Sequence, residues 1–91
     1  MKEKEKERIL KALANRRRLA IVSLFQKEKE KSVGEIAESI KLSFRATSKH
    51  LSILVNADIL EKEQRGLQMF YSLDKSAPET TKQLLKTLSL V

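Results

Sequence analysis

The chain has 91 residues, of which 19 are Lys or Arg and 12 are Asp or Glu, so its net charge is +7 with the single His neutral. This length suits one domain, and the absence of cysteine excludes disulfides, thiolate metal sites and cysteine nucleophiles. No apolar run approaches the roughly 20 residues that span a bilayer, and the charged start is unlike a signal peptide, so we expect a cytoplasmic protein. The surplus of positive charge indicates a polyanionic partner, nucleic acid before a membrane surface.

The N-terminal third of the chain predicts two helices. After an alternating Lys/Glu stretch, apolar residues recur at helical spacing and predict a first helix over about residues 2–13. Its apolar positions are Ile9, Leu10 and Leu13. Asn15 is placed to cap a second helix, whose apolar residues cover more than half of its circumference and predict a central, buried position. The following run, Lys27–Lys31, is expected to form a solvated loop.

Two capping signals then frame a short helix, a turn and a longer helix. Ser32 and Glu35 have the spacing of a capping box, and Ser43 is placed to cap a helix that runs from Phe44 to about Asn56. The inner face of this longer helix is predicted to consist of Thr47, Leu51, Leu54 and Val55. Its outer face is basic and hydroxylated, with Arg45, Ala46, Ser48, Lys49 and Ser52.

The last third of the chain changes to strand-like runs. Ile59–Gln64 and Leu67–Leu73 flank a central glycine, which predicts a β-hairpin. Pro78 is expected in the first turn of a last helix, whose apolar side carries Leu84, Leu85, Leu88 and Val91. The predicted fold class is mainly α with a β-hairpin wing, a winged helix-turn-helix in the order α-α-α-α-β-β-α. Residues 1–91 are expected to form this single domain.

This arrangement predicts binding to double-stranded DNA. A helix-turn-helix sets its second helix into the major groove, where basic side chains donate to guanine or phosphate and hydroxyls donate or accept. An aromatic residue at the start of that helix can stack there or touch a thymine methyl group. The residues that would do this are Phe44, Arg45, Ser48, Lys49 and Ser52. The hairpin would act as a wing, with Arg65 at its tip near a minor groove or phosphates.

Three segments resemble the ArsR-type winged-helix repressors. They are "ALANRRRLAIVSLF" (12–25), "SVGEIAESIKLSFRATSKHLSILVNADIL" (32–60) and "EQRGLQMFYSL" (63–73), so the resemblance covers residues 12–73. It implies a homodimeric bacterial or archaeal transcription regulator, and we expect it to act as a repressor. It also implies DNA contacts for four residues of the longer helix, Arg45, Ser48, Lys49 and His50. Gln64–Gln68 match the wing, in which Gln68 is a further expected DNA contact.

The resemblance further implies a dimer interface on the outer helices, over about residues 2–13 and 79–90. The apolar stripes of these two helices are more than a three-helix core and a wing can cover, which also favours a partner surface. The predicted interface residues are Ile9, Leu10, Leu13, Leu84, Leu85, Leu88 and Val91.

The chain departs from this family pattern in three ways. The stretches that bind metals in many members, here "VGEIAESI" and "ETTKQLLKTL", contain no Cys or His, so we expect no metal site and no cofactor. Lys41 and Asp58 stand where glycine is favoured, and Phe44 stands where a polar residue is more usual. A lone His50 cannot build a metal site and is expected to contact phosphate or lie on the helix surface. The sequence leaves open whether a small-molecule effector controls DNA binding.

Other assignments stay open at the level of sequence. The cluster Arg16–Arg18 either grips phosphates or forms a solvated face, and Arg18 matches a position that serves structure. Glu61 and Glu63 are expected on a solvated strand face, because no His or nucleophile that would make them an acid/base pair is near. The alternative function is a winged-helix module for protein interaction or RNA binding. A small hydrolase or transferase lacks both a nucleophile and a base, so we expect no enzyme.

Overall fold

The computed structural model describes all residues from Met1 to Val91 and contains five α-helices and a three-stranded antiparallel sheet. The helices are α1 (Glu3–Leu13), α2 (Arg16–Ser23), α3 (Val33–Ile40), α4 (Phe44–Asn56) and α5 (Glu79–Thr87), with a 3-10 turn at Leu24–Gln26. The strands are β1 (Glu30–Ser32), β2 (Leu60–Arg65) and β3 (Gln68–Leu73). The predicted winged helix-turn-helix fold is confirmed. None of the helices combines the length and the apolar character that crossing a membrane requires.

Three N-caps place the helices as the sequence predicts. The side-chain oxygen of Asn15 accepts hydrogen bonds from two backbone amides of α2, at 3.0 and 3.2 Å. The amide of Ser32 donates to the Glu35 carboxylate at 2.8 Å, and the Glu35 amide donates to the Ser32 hydroxyl at 3.2 Å. The hydroxyl of Ser43 accepts from a first-turn amide of α4 at 3.1 Å. Because these bonds satisfy amides that lack a partner inside the helix, local sequence fixes where α2, α3 and α4 begin.

The strand β1 corrects the prediction of a solvated loop over Lys27–Lys31. Glu30 lies opposite Ser72 and Ser32 lies opposite Phe70, so the strand order is β1-β3-β2 and the wing belongs to a three-stranded sheet. A three-residue strand is too short to show an alternating pattern. The residues of β1 are extended because they form backbone hydrogen bonds with the free edge of β3.

The last helix differs from the prediction at both ends. Pro78 has φ −56° and ψ 149°, so it is the N-cap and lies outside the first turn of α5. The helix ends at Thr87 instead of about residue 90, because Ser89 has a left-handed φ of 58°. The amide of Leu90 then donates to the carbonyl of Leu85 at 2.9 Å, which closes the helix and turns Leu90 into the core.

The core lies between the helices and one face of the sheet, and it anchors α4. The side chains that are almost completely buried include Ile21, Val22, Ile36, Leu51, Leu54, Ile59 and Leu60. Leu51 and Leu54 belong to the predicted inner face of α4, together with the buried Thr47. Burial of this face leaves the opposite side of α4 toward solvent.

The turn between α3 and α4 offers a test of backbone strain. Lys41 has φ 54° and ψ 53°, a left-handed conformation that costs a residue with a side chain about 1–2 kcal/mol. We expect Lys41→Gly to raise the free energy of unfolding by about 0.5–1 kcal/mol, because relief of strain exceeds the entropy that glycine adds to the unfolded chain. Urea unfolding measures this change. The control is Lys27→Gly, at an exposed residue with φ −101°, which should bring no gain. An equal gain in both variants would contradict the assignment.

Candidate nucleic-acid interface

The turn after α3 sets the direction of α4. Lys41 ends α3 in the left-handed conformation, and the amide of Leu42 donates to the carbonyl of Ala37 at 3.0 Å. Asp58 has the same conformation after α4, with φ 58°. These are the two positions for which the resemblance implies glycine, so the backbone geometry is kept although the side chains differ.

The outer face of α4 carries most of the predicted DNA contacts. The exposed side chains are Phe44, Arg45, Lys49 and Ser52, and the half-buried ones are Ser48 and His50. Phe44 is 62% exposed at the first position of the helix, whereas the other aromatic side chains are buried or half-buried. The structure therefore leaves five of these side chains toward solvent, whereas His50 lies on the side of α4 that contacts α2.

The electrostatics of this surface favour an anion. The 13 residues of α4 include no Asp or Glu, and neither Arg45 nor Lys49 forms an ion pair or a side-chain hydrogen bond. Because they are four residues apart, these two cations lie on the same side of the helix and repel each other. A phosphate or a guanine edge placed between them would relieve this repulsion and accept their donors.

His50 lies at the border of the outer face and contacts α2. Its Nδ1 atom is 3.1 Å from the Nη1 atom of Arg18. Partial burial, and then the positive charges of Arg18 and Arg17, lower the pKa of His50 from its ordinary value. Both effects favour the neutral imidazole. No three His, Cys, Asp or Glu side chains come together in a way that could hold a metal ion.

The three arginines at the start of α2 have different surroundings. Arg18 donates from Nε to the carbonyl of Ala12 at 2.6 Å, which confirms its structural role. Arg17 donates to the carbonyl of Ile40 at 3.0 Å and so holds the end of α3. Arg16 is exposed and has no partner within the chain. Arg17 and Arg18 therefore bind the protein's own backbone, whereas Arg16 is the one side chain of the cluster without an internal contact.

The wing places Arg65 differently from the expected tip position. Arg65 ends β2, and its guanidinium donates to both Glu30 carboxylate oxygens, at 2.6 and 2.8 Å, and to Glu63 at 2.7 Å. It also lies over the ring of Phe70, 4.8 Å from the centroid. The hydrogen bond from Arg65 lowers the pKa of Glu30, so this carboxylate stays charged. In this structure the wing arginine is bound along the sheet, and contact with DNA would require it to leave two carboxylates.

The tip of the wing is formed by the two residues after Arg65. Gly66 takes a positive φ of 61°, a conformation that favours glycine. Leu67 is fully exposed, and Gln68, the other predicted wing contact, is exposed on β3. The tip of the hairpin therefore presents the apolar side chain of Leu67 and the amide of Gln68, whereas the guanidinium of Arg65 is held along the sheet.

The carboxylates of β2 are accessible to solvent as predicted, but each also has a hydrogen-bond partner in the chain. Glu63 binds Arg65, and Glu61 accepts the backbone amide of Lys75 at 2.9 Å. Sequence reasoning missed these contacts and the one between Arg18 and His50. Their partners are separated by 14 to 35 residues except for the pair within β2, and no local signal marks them.

Three residues that were predicted to form the dimer interface are buried within the protomer. Ile9, Leu13 and Leu85 are buried in the protomer, with exposures of 6%, 4% and 3%, because α1 and α5 pack on the same core. The expectation that a single protomer cannot cover these stripes is wrong for these three residues. Of the other predicted interface residues, Leu10 is 57% and Leu88 is 49% exposed, and Leu84 and Val91 are half-buried.

An apolar groove remains between the two terminal helices. It is lined by seven residues, namely Met1, Lys6, Ile9, Leu10, Thr80, Thr81 and Leu84. Leu88 lies one helical turn beyond Leu84 and so on the same side of α5. Of the two exposed members of the predicted interface, Leu10 lines this groove and Leu88 follows the last turn of α5.

The fold and this basic helix face define a class of protein, and the sequence supports it. Residues 15–62 match the model of bacterial regulatory proteins of the arsR family. This match covers more than half of the chain, from the cap of α2 to the start of the wing. The chain belongs to the arsR family and is a winged helix-turn-helix transcriptional regulator.

Relatives with known roles and known structures agree with this assignment. The chain is 34% identical over 80 residues to the transcriptional activator HlyU of Vibrio cholerae, covering 88% of this chain and 73% of that protein. It is 30% identical over 80 residues to the transcriptional repressor PagR of Bacillus anthracis, covering 88% and 80%. The homodimeric winged helix-turn-helix domain of Mb0332 from Mycobacterium bovis superposes with a TM-score of 0.80 at 28% identity, covering 96% of this chain and 77% of that one.

Proposed function

We propose that this regulator works as a homodimer that binds a palindromic operator in double-stranded DNA and represses the promoter that contains it. Each α4 would lie in a major groove, with Arg45 and Lys49 as the main donors. The observation that carries the proposal is the outer face of α4, which presents two exposed, unpaired cations on a helix without a carboxylate. Its buried inner face holds this surface in a fixed orientation.

The dimer rests on the terminal helices. Leu10 is exposed on an apolar groove and Leu88 is exposed at the end of α5, and burial of such side chains is a common driving force for association. A two-fold axis through this surface would place two copies of α4 about one DNA turn, roughly 34–36 Å, apart. The homodimeric Mycobacterium bovis domain has the same fold, which supports the proposal.

Repression is the simpler regulatory outcome. It requires only that the bound dimer occupy promoter DNA, whereas activation also requires contact with the transcription machinery. The relatives carry both kinds of name, a repressor and an activator. A reporter gene with the operator between its promoter elements distinguishes the two, because repression predicts lower expression when the regulator is present.

Selection from a random library tests the binding partner first. The purified chain is incubated with random duplex DNA and, separately, with random single-stranded RNA. A palindromic duplex motif would support both sequence-specific binding and two-fold symmetry. Enrichment of RNA alone, or no duplex binding in a mobility-shift titration at low salt, would reject the proposal and favour an interaction module.

Substitutions on α4 test the assigned residues. We expect Arg45→Ala to lower affinity for the selected operator by about 5- to 150-fold and to relax the preference at one base pair, if it makes a bidentate base contact. Lys49→Ala, as a phosphate contact, should weaken binding to all sequences and reduce the slope of log affinity against log salt by about 1. The matched control is Lys27→Ala, an exposed cation away from α4. An equal loss in the control would show that only net charge matters.

A further inference from the structure

Arg18 joins three helices through one guanidinium group. Its Nε and Nη2 atoms donate to the carbonyls of Ala12 and Lys11, at 2.6 and 3.3 Å, in the last turn of α1. Its Nη1 atom lies 3.1 Å from Nδ1 of His50 on α4. The carbonyls at the end of α1 have no partner within that helix, so they hold the guanidinium in one orientation and direct its third donor at His50.

The chemistry of arginine determines which ring nitrogen of His50 carries the proton. A guanidinium group has five donors and no acceptor, and it stays protonated in proteins. Nδ1 of His50 must therefore be the acceptor, which requires a neutral ring with its proton on Nε2. The lowered pKa of His50 agrees with a neutral ring.

The Nε2 atom of His50 is free to act on a partner. It makes no hydrogen bond within the chain, and the only buried side-chain polar atoms without a partner are the hydroxyls of Thr47 and Thr81. Nε2 is therefore accessible from solvent. His50 is half-buried at the edge of α4 that meets α2, so its Nε2–H group can reach a phosphate only at the flank of the helix and not from the centre of the outer face.

We propose that Arg18 is a positioning residue for DNA binding, because it holds His50 as the Nε2–H tautomer whose proton is donated to a phosphate oxygen beside α4. The inference rests on the proposed function, since it needs α4 to lie against a duplex. Arg18 itself does not touch DNA in this arrangement. It acts by fixing the protonation pattern and the ring orientation of a residue that does.

Nuclear magnetic resonance of the ring nitrogens tests the tautomer in the absence of DNA. Long-range proton–nitrogen spectra of the free protein near neutral pH should show a protonated Nε2 and an unprotonated Nδ1 in His50. In Arg18→Gln we expect both nitrogens to shift toward values averaged between the two tautomers. Arg16→Gln removes the same charge two residues away at an exposed side chain, and it should leave the His50 spectrum unchanged. A wild-type spectrum with a protonated Nδ1 would overturn the proposal.

Affinity for the selected operator tests the contact itself. We expect Arg18→Gln to weaken binding by about 10-fold and Arg16→Gln by about 2- to 3-fold. Both variants lose one positive charge, so the additional loss in Arg18→Gln reports the positioning of His50. His50→Gln, whose amide nitrogen takes the place of Nε2, should retain most of the affinity, whereas His50→Asn should lose about 10-fold. In a chain that already carries His50→Asn, Arg18→Gln should lower the affinity for the operator by no more than Arg16→Gln does.

The outcomes separate this inference from the function on which it rests. Circular dichroism first shows that each variant is folded, since Arg18 also stabilises the end of α1. Equal losses in Arg18→Gln and Arg16→Gln, with normal wild-type binding, would overturn the role of Arg18 and leave the DNA-binding proposal intact. A wild-type chain that binds no duplex would reject the proposed function, and the phosphate contact with it.

Discussion

Replacement of Leu51 by alanine is expected to lower the free energy of unfolding by about 2–5 kcal/mol, the range for large-to-small substitutions in a packed core. Leu51 has no exposed surface and lies on the inner face of α4, the helix that packs against α2, α3 and β2. The substitution removes apolar contacts and leaves a cavity that the surrounding helices fill only in part. Because a small domain is stable by about 5–15 kcal/mol, a large share of the total would be lost.

Urea unfolding followed by circular dichroism measures this effect, with Ile53→Ala as the matched control. Ile53 lies on the same helix but is 41% exposed, so its truncation should change the free energy of unfolding by no more than about 0.5–1 kcal/mol. Below the unfolding transition, Leu51→Ala should still bind the operator with nearly normal affinity, because Leu51 is not part of the outer face. Similar losses of stability in the two variants would contradict the view that buried contacts hold α4 in place.

The elements whose determinants are local could be predicted from the sequence. Asn15, Ser32 and Ser43 each bind backbone amides two or three residues further on, so the sequence itself contains both partners of the bond. The hairpin has a similarly local cause, since Gly66 takes the positive φ that its turn requires. The placement of α4, and hence of Arg45 and Lys49 on its exposed side, follows from these local signals and the helical period.

Contacts between distant segments could not be predicted in this way. Arg65 binds Glu30, which lies 35 residues earlier on a strand too short to leave a sequence pattern. The chain has 12 acidic residues, and nothing in their spacing selects Glu30 as the partner. Only the pairing of β1 with β3 brings the two side chains together, and this pairing depends on the assembled sheet.

The terminal helices show the same limit for apolar residues. Periodicity correctly assigns Leu10 and Leu13 to the amphipathic α1, but it does not state which side chain meets the protomer's own core. Leu13 is 4% exposed, whereas Leu10 is 57% exposed. The difference comes from where α2 and α4 pack against α1, which is a property of the whole fold. The structure therefore removes Leu13 from the surface that a partner can reach and leaves Leu10 on it.

The pair of substitutions Leu10→Glu and Leu88→Glu is expected to convert the dimer to a monomer. Both side chains are about half exposed in the protomer, so charges are tolerated there in a free chain but would be buried without partners in a dimer. Affinity for the full palindrome should fall by about 100- to 10,000-fold, because two linked half-site contacts become two separate binding events. Sedimentation equilibrium at micromolar concentration measures the mass, and a fluorescence-anisotropy titration measures the affinity.

Binding to a half-site distinguishes loss of the dimer from damage to the DNA-binding surface. The double variant should bind a duplex that contains one half-site nearly as well as the wild-type chain does, apart from the small effect of two added negative charges. Leu67→Glu, which places the same charge on a fully exposed leucine at the wing tip, should remain dimeric. A wild-type chain that sediments as a monomer and yet binds the full palindrome with undiminished affinity would exclude the dimer. In that case the groove between α1 and α5 would have no part in recognising DNA, and α4 with the wing would account for all of the affinity.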